Sequence, residues 1–108
     1  MICPKVTVSI PVYNTERYIR QCLDSLMNQT MRELEFIIVD DGSTDCSGRI
    51  CDEYASRDTR FKVIHQQNGG LASARQVALD MAQSEYVIVC DSDDWVEPDI
   101  YERLYEAA

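Results

Sequence analysis

Apolar and polar positions along the chain switch repeatedly between a period of two and a period near 3.6. Val6, Val8, Ile10 and Val12 alternate with Thr7, Ser9 and Pro11, and neither face carries charge, which predicts a strand buried on both sides. Pro11 has no N–H to give, so the ladder is expected to end there and the chain to turn out around Tyr13. Asn14 is the expected N-cap of the helix that follows, with Glu16 in its first turn against the helix dipole. Tyr18, Ile19, Cys22, Leu23 and Leu26 recur at three- and four-residue spacing and make one stripe of that helix, to about Met27. After a loop over 28–33, the apolar run 34–40 predicts a second strand that ends in acid. Residues 40–45 are turn and cap types: Gly42 suits a positive φ, and Ser43 or Asp45 suits the cap of a second helix. Ile50, Tyr54 and Cys51 form that helix's inward face, with Asp52, Glu53, Arg57 and Asp58 in water.

Phe61, Val63 and His65 alternate with Lys62, Ile64 and Gln66, the signature of a half-buried edge strand, with His65 an edge residue rather than a ligand. Asn68, Gly69 and Gly70 break the chain before a third helix over 71–82, where Leu71, Ala74, Ala78 and Met81 fall on one stripe. The small Ala72, Ala74 and Ala78 would let this helix lie close to a sheet. Tyr86, Val87, Ile88 and Val89 are uninterrupted and suit a strand buried on both faces. Pro98 then opens a last helix over 99–108, whose inward Ile100, Tyr101, Leu104 and Tyr105 span barely two turns. This βαβαβαβα order predicts an α/β fold, a doubly wound, mostly parallel sheet in the order 3-2-1-4 with helices on both faces. The winding reverses between strands one and four, so a crevice is expected where Pro11, Asp40, Asp41 and Asp91 to Asp94 converge.

Composition narrows the classes. A chain of 108 residues, 45% apolar and 27% charged, is one globular domain without repeats. Its net charge of −9 excludes the basic patch that nucleic acid or an anionic membrane face requires. No apolar run approaches the roughly 20 residues of a membrane span, and no signal segment opens the chain, so a cytoplasmic location is expected. Five cysteines without a CxxC pair indicate reduced thiols, with Cys90 in the core.

The chemistry concentrates in Asp91, Asp93 and Asp94, just past the fourth strand. Three carboxylates this close repel one another unless they share a cation or some are protonated, and hard oxygen ligands suit Mg²⁺ or Mn²⁺. The pattern therefore points to a metal-diphosphate site, and a divalent cation would reconcile an anionic ligand with an acidic protein. The alternative is a solvated acidic turn capping the helix that starts near Pro98. Two acidic loops brought to one end of a sheet weigh against it.

Four motifs in register carry a family resemblance: SIPVYN (9–14), VDDGSTD (39–45), NGGLASAR (68–75) and DSDD (91–94). Together they resemble the family 2 glycosyltransferases with the A-type nucleotide-sugar fold, over nearly the whole chain. The resemblance implies inverting transfer of a sugar from a nucleotide diphosphate donor, commonly UDP-linked, with Mn²⁺ or Mg²⁺. It also implies a carbohydrate or lipid-linked acceptor and a place in polysaccharide biosynthesis, in the cytoplasm or peripherally at the inner face of the membrane. Position by position, Pro11 and Tyr13 resemble the pair flanking the nucleobase and Asp41 the carboxylate that hydrogen-bonds it. Asp91 is similar to the ribose-side aspartate, with Ser92 beside it on the nucleotide. Asp93 is similar to the metal ligand, Asp94 to a donor-sugar contact and Arg75 to an arginine near the nucleotide.

Gln76 and Ser84 depart from the family's frequent asparagine and glycine without touching the metal chemistry. Family members usually continue into a half that binds acceptor and carries the general base, so residues 1–108 are expected to be the donor-binding half, poor at transfer alone. An exposed fourth strand would then favour a homodimer through the sheet edge. A response-regulator-like phosphoacceptor needs acids after strand one and a lysine at a late strand end, yet the lysines are Lys5 and Lys62. A dinucleotide-binding module wants a glycine-rich turn where this chain has PVYNTER. Sugar-phosphate nucleotidyltransferases are the nearest rival, lacking here their glycine- and basic-rich loop; a non-catalytic association module is the other alternative.

Overall fold

The computed structural model describes residues 3–108. Eight elements alternate: β1 (Val6–Val12), α1 (Ile19–Met27), β2 (Leu34–Asp41), α2 (Ser47–Arg57), β3 (Phe61–Gln66), α3 (Leu71–Met81), β4 (Tyr86–Val89) and α4 (Ile100–Ala107). The strands form one parallel sheet in the order β3-β2-β1-β4, as the sequence predicts.

Period-two alternation sorts every strand residue to one of two faces. Val6, Val8, Ile10 and Val12 join Phe36 and Ile38 on the face covered by α1, α2 and α4, in a core with Ile19, Leu23, Leu26, Tyr54 and Tyr101. Ile37 and Val39 point the other way, where α3 covers them with Ala74 and Ala78. β2 is buried along its whole length because strands flank it and helices cover both its faces. Leu71 and Met81, expected on the inward stripe of α3, are exposed instead, since α3 meets the sheet through Ala74 and Ala78, with Val77 beside them.

Pro11 acts on one side only. The Cys90 amide donates to the Ser9 carbonyl at 2.9 Å, so Ser9 faces β4, and Pro11, two residues on, turns its missing donor to the same side. Pairing with β4 accordingly stops at Ser9–Val89, while pairing with β2 runs on to Val12–Asp40. β4 is a sheet edge with Tyr86 and Val89 exposed, not the doubly covered strand its composition suggests.

Other expectations are corrected locally. Asn14 is not a helix cap; it stands at φ 52°, and α1 starts at Ile19 with no side-chain cap and no acid in its first turn. The N-cap position of α2 is Cys46, although Asp45 accepts the first-turn amide of Ser47 at 2.9 Å. Asp58 is not left in water but chelates Arg60 at 2.9 Å. α4 starts at Ile100, so Pro98 precedes it and offers its carbonyl to the Thr30 amide, and Leu104 is exposed. All five cysteines are free, with Cys90 buried as expected. Among the described residues no helix is long and apolar enough to cross a membrane.

At the amino end of the sheet, buried Glu35 ties four segments together. It accepts from Thr7 Oγ1 at 2.7 Å, the Gln83 amide at 2.9 Å and Lys62 Nζ at 2.7 Å. Burial alone would raise its pKa; Lys62, the Gln83 amide and Thr7 outweigh it and hold the carboxyl below the ordinary glutamate range. Removing a partner of buried donors costs more than the bonds themselves contribute. Glu35→Ala is therefore expected to destabilise the fold by about 2 kcal/mol, a fall of about 8 to 16 °C in Tm, while Glu35→Gln costs less, as thermal unfolding will show.

Candidate donor site

The two aspartates that close β2 lie on opposite faces of the sheet, and that split defines the site. Register pairs Asp40 with His65 and Asp41 with Gln66, and each pair meets on its own face. Asp41 accepts from Gln66 Nε2 at 2.9 Å and the Gly69 amide at 2.8 Å through Oδ1, and from the Gly70 amide at 2.9 Å through Oδ2. Gly70 is the N-cap of α3, so this carboxylate sits against the positive end of that helix. Gln66 and the Gly69 amide hold its pKa below the ordinary aspartate range against the opposing effect of burial, and the Gly70 amide adds to them. Gly42 permits the close approach of the two loops: it has φ 74°, and a Cβ there would stand 2.8 Å from the Asn68 amide nitrogen.

Above Asp41 opens a cleft of about 280 Å³, lined by Pro11, Val12, Tyr13 and Asp41 on the strand side and by Asn68, Gly70, Leu71 and Ala74 on the α3 side. Tyr13 and Leu71 are half exposed and form its apolar walls. Three of the expected residues, Pro11, Tyr13 and Asp41, thus meet in one cavity. Arg75 is exposed on α3 beside Ala74, outside the lining of the cleft.

Asp40 does not join this crevice. Alternation sends it to the opposite face, where Oδ2 meets His65 Nδ1 at 2.8 Å and Oδ1 accepts the Ser43 amide at 3.1 Å. A Cβ on Gly48 would stand 2.5 Å from that Oδ2, so a side chain there would have to displace the Asp40 carboxylate from His65. His65 is an edge-strand residue, as expected, with Nε2 against Asp52 at 2.9 Å.

Past β4, ligand atoms of Asp91, Asp93 and Asp94 all lie within 4.8 Å of one another, and all three residues are exposed. Among the described residues none of the three pairs with a lysine, arginine or histidine. This all-oxygen set fits a hard divalent cation. Ser92 is buried within the same turn, its hydroxyl accepting from Thr15 Oγ1 at 3.0 Å, and the Asp94 amide closes the turn on the Asp91 carbonyl at 3.1 Å. Gln66, Asn68, Leu71, Thr15 and the Gly69 and Gly70 amides are site residues that sequence reasoning passed over. The Asn-Gly-Gly breaker was the available signal, since consecutive glycine amides near a buried acid are natural donors to it.

The family model for glycosyl transferase family 2 matches residues 7–108. The chain belongs to glycosyltransferase family 2. Over 108 residues it is 52% identical to EpsH of Bacillus subtilis (strain 168), covering all of this chain and 31% of EpsH. The structure of S. aureus TarS 1-349 in complex with UDP-GlcNAc superposes with a TM-score of 0.88 at 36% identity, over 94% of this chain and 30% of TarS 1-349. The mannosyltransferase PcManGT from Pyrobaculum calidifontis, in complex with GDP-Man and Mn²⁺, gives 0.79 at 29% identity, over 88% of this chain and 29% of that one. This family 2 glycosyltransferase chain therefore spans about a third of the length of these relatives.

The bracing of Asp40 makes a pH prediction. Asp40 and then Asp52 raise the His65 pKa above its ordinary value against a smaller opposing effect of burial. The stabilisation is complete below the unfolded value near 6.5 and is lost as pH rises through the higher folded value. Because His65 is half exposed, solvent screening limits the effect to about 1 kcal/mol, or about 4 to 8 °C. The Tm of the wild type is expected to fall by up to that amount from pH 6 upward, and His65→Gln to remove that part of the slope.

Proposed function

We propose that these 108 residues are the donor-binding half of an inverting, metal-dependent glycosyltransferase that takes its sugar from a nucleotide diphosphate, most fittingly UDP. The observation that carries this is the pairing of an apolar cleft floored by an ionised carboxylate with a separate cluster of three unpaired carboxylates. The first fits a nucleobase, the second the cation-bound diphosphate. TarS with UDP-GlcNAc and PcManGT with GDP-Man and Mn²⁺ support a nucleotide-sugar donor and a divalent cation.

Asp41 supplies base selection. A carboxylate has about four acceptor sites, and three are taken by Gln66, Gly69 and Gly70, leaving one on Oδ2. Held ionised, it accepts and never donates, so it takes a base edge that presents an N–H, as uracil N3–H and guanine N1–H do; cytosine and adenine could meet it only through an exocyclic amine. Tyr13 and Pro11 flank that base, Asp91 takes the ribose with Ser92 beside it, and Asp94 faces the donor sugar. Asp93 is the principal metal ligand, with Mg²⁺ or Mn²⁺ as the ion. The cation would offset the diphosphate charge both against the carboxylates and as the nucleotide leaves. Arg75, exposed one residue from a cleft-lining alanine, is the cation on this side that would meet phosphate or base oxygens. The base that deprotonates the acceptor hydroxyl is assigned outside these residues, so donor binding without efficient transfer is the activity proposed for this polypeptide.

A thermal-shift series with UDP, GDP, CDP and ADP, each with Mn²⁺ and with a chelator, tests this. Ligand at a hundred times its Kd adds about 2.7 kcal/mol, so a Tm rise of about 10 to 20 °C is expected with UDP and Mn²⁺. The rise should vanish with chelator and in Asp93→Ala. No response to any nucleotide would sink the proposal.

A further inference from the structure

The loop between β1 and α1 carries more contacts than its exposure suggests, and they converge on Thr15. Its carbonyl accepts the Tyr18 and Ile19 amides at 2.9 and 2.8 Å, starting α1. Its amide donates to Ser47 Oγ at 2.9 Å, the first residue of α2. Its hydroxyl donates to Ser92 Oγ at 3.0 Å, inside the turn that bears Asp91, Asp93 and Asp94. One position earlier, the Asn14 side-chain oxygen accepts the Thr44 and Asp45 amides, which explains why this asparagine takes φ 52° rather than capping a helix. Tyr13, the wall of the base cleft, immediately precedes these two.

Ser92 is only 5% exposed, although the three aspartates around it are all in solvent. The three like charges of the turn repel one another, β4 has already stopped pairing with β1 at Val89, and at its start the Asp91 carbonyl accepts only weak thiol contacts, from Cys22 Sγ at 3.6 Å and Cys90 Sγ at 3.7 Å. Besides the turn's own Asp94–Asp91 bond, the side-chain tie of Ser92 is to Thr15. We propose that Thr15 is a positioning residue of the donor site: through Ser92 it holds the acidic turn at a fixed distance from the Tyr13 wall, so that base and cation-bound diphosphate are engaged together. The proposal rests on the donor-site reading for its functional half and on the apo chain for its structural half.

The two halves separate experimentally. Thr15→Val removes the hydroxyl, keeps the side-chain shape and leaves both backbone contacts, whereas Thr15→Ser restores the hydroxyl. In the ligand-free chain, native-state hydrogen exchange of the Asp94 amide is expected to rise about three- to tenfold in Thr15→Val, the equivalent of one hydrogen bond, and to stay at the wild-type rate in Thr15→Ser. Unchanged exchange in Thr15→Val overturns the proposal whether or not nucleotide binds. With UDP as probe, Thr15→Val is expected to raise the Mn²⁺ concentration for half-maximal binding by about the same factor. The far weaker UDP affinity left in chelator, read at UDP concentrations well above those of the thermal-shift series, should not move, a split that general loosening of the fold does not produce. Ser92→Ala should raise it similarly, and Thr15→Val with Ser92→Ala should be no worse than the poorer single variant. Additive losses, or an unchanged Mn²⁺ requirement where the wild type binds UDP, overturn it. If the wild type binds neither UDP nor GDP with Mn²⁺, the donor reading fails, and the exchange result alone decides whether Thr15 holds the turn.

Discussion

The two-residue period of β2 is the constraint on which the site depends. A strand buried on both faces must choose a partner for every side chain, and a polar pair at its end must be satisfied twice over, in opposite directions. Asp40 and Asp41 are adjacent in sequence, yet one braces a loop through Ser43 and His65 while the other anchors the start of α3. A one-residue slip of β2 between β1 and β3 would exchange these environments, putting the floor of the cleft under α2. The hydrophobic alternation that selects the register thereby also selects which carboxylate faces the cleft.

The fold was legible because its signals were redundant. Four apolar runs, four helical stripes and the breakers between them agree on a single topology, and that agreement makes boundary errors of one or two residues harmless. Helix starts were legible less well: Asn14 has the side chain of a cap, but its acceptor was claimed by the Thr44 and Asp45 amides across a long-range contact. No local pattern announces such a competitor. Leu71 and Met81 misled for a related reason, since an apolar residue on a helix says nothing of where the sheet beneath it ends.

The site itself divides along the same line. Pro11 and Asp41 were legible because strand order brings their loops together, Tyr13 through the family resemblance of SIPVYN, and the three acids past β4 because like charge in close spacing demands explanation. Asp40 was grouped with them, although alternation alone would have sent it to the other face. The donors to Asp41 were hidden because backbone amides carry no side-chain identity; glycines mark only where such amides are accessible. Thr15 was invisible for a different reason, the bonds of its amide and hydroxyl reaching Ser47 and Ser92, which are distant in the chain.

Among the described residues α3 is the one helix on its face of the sheet, meeting it through Ala74 and Ala78 with Val77 beside them. Small side chains against a flat row of branched ones interlock weakly, and such a contact resists separation far better than it resists sliding lengthwise. What stops the slide is the Asp41 carboxylate gripping the amides of Gly69 and Gly70 at the end of the helix. The width of the cleft is therefore metered by a detent, one charged contact, while the alanine surface behind it serves as a bearing.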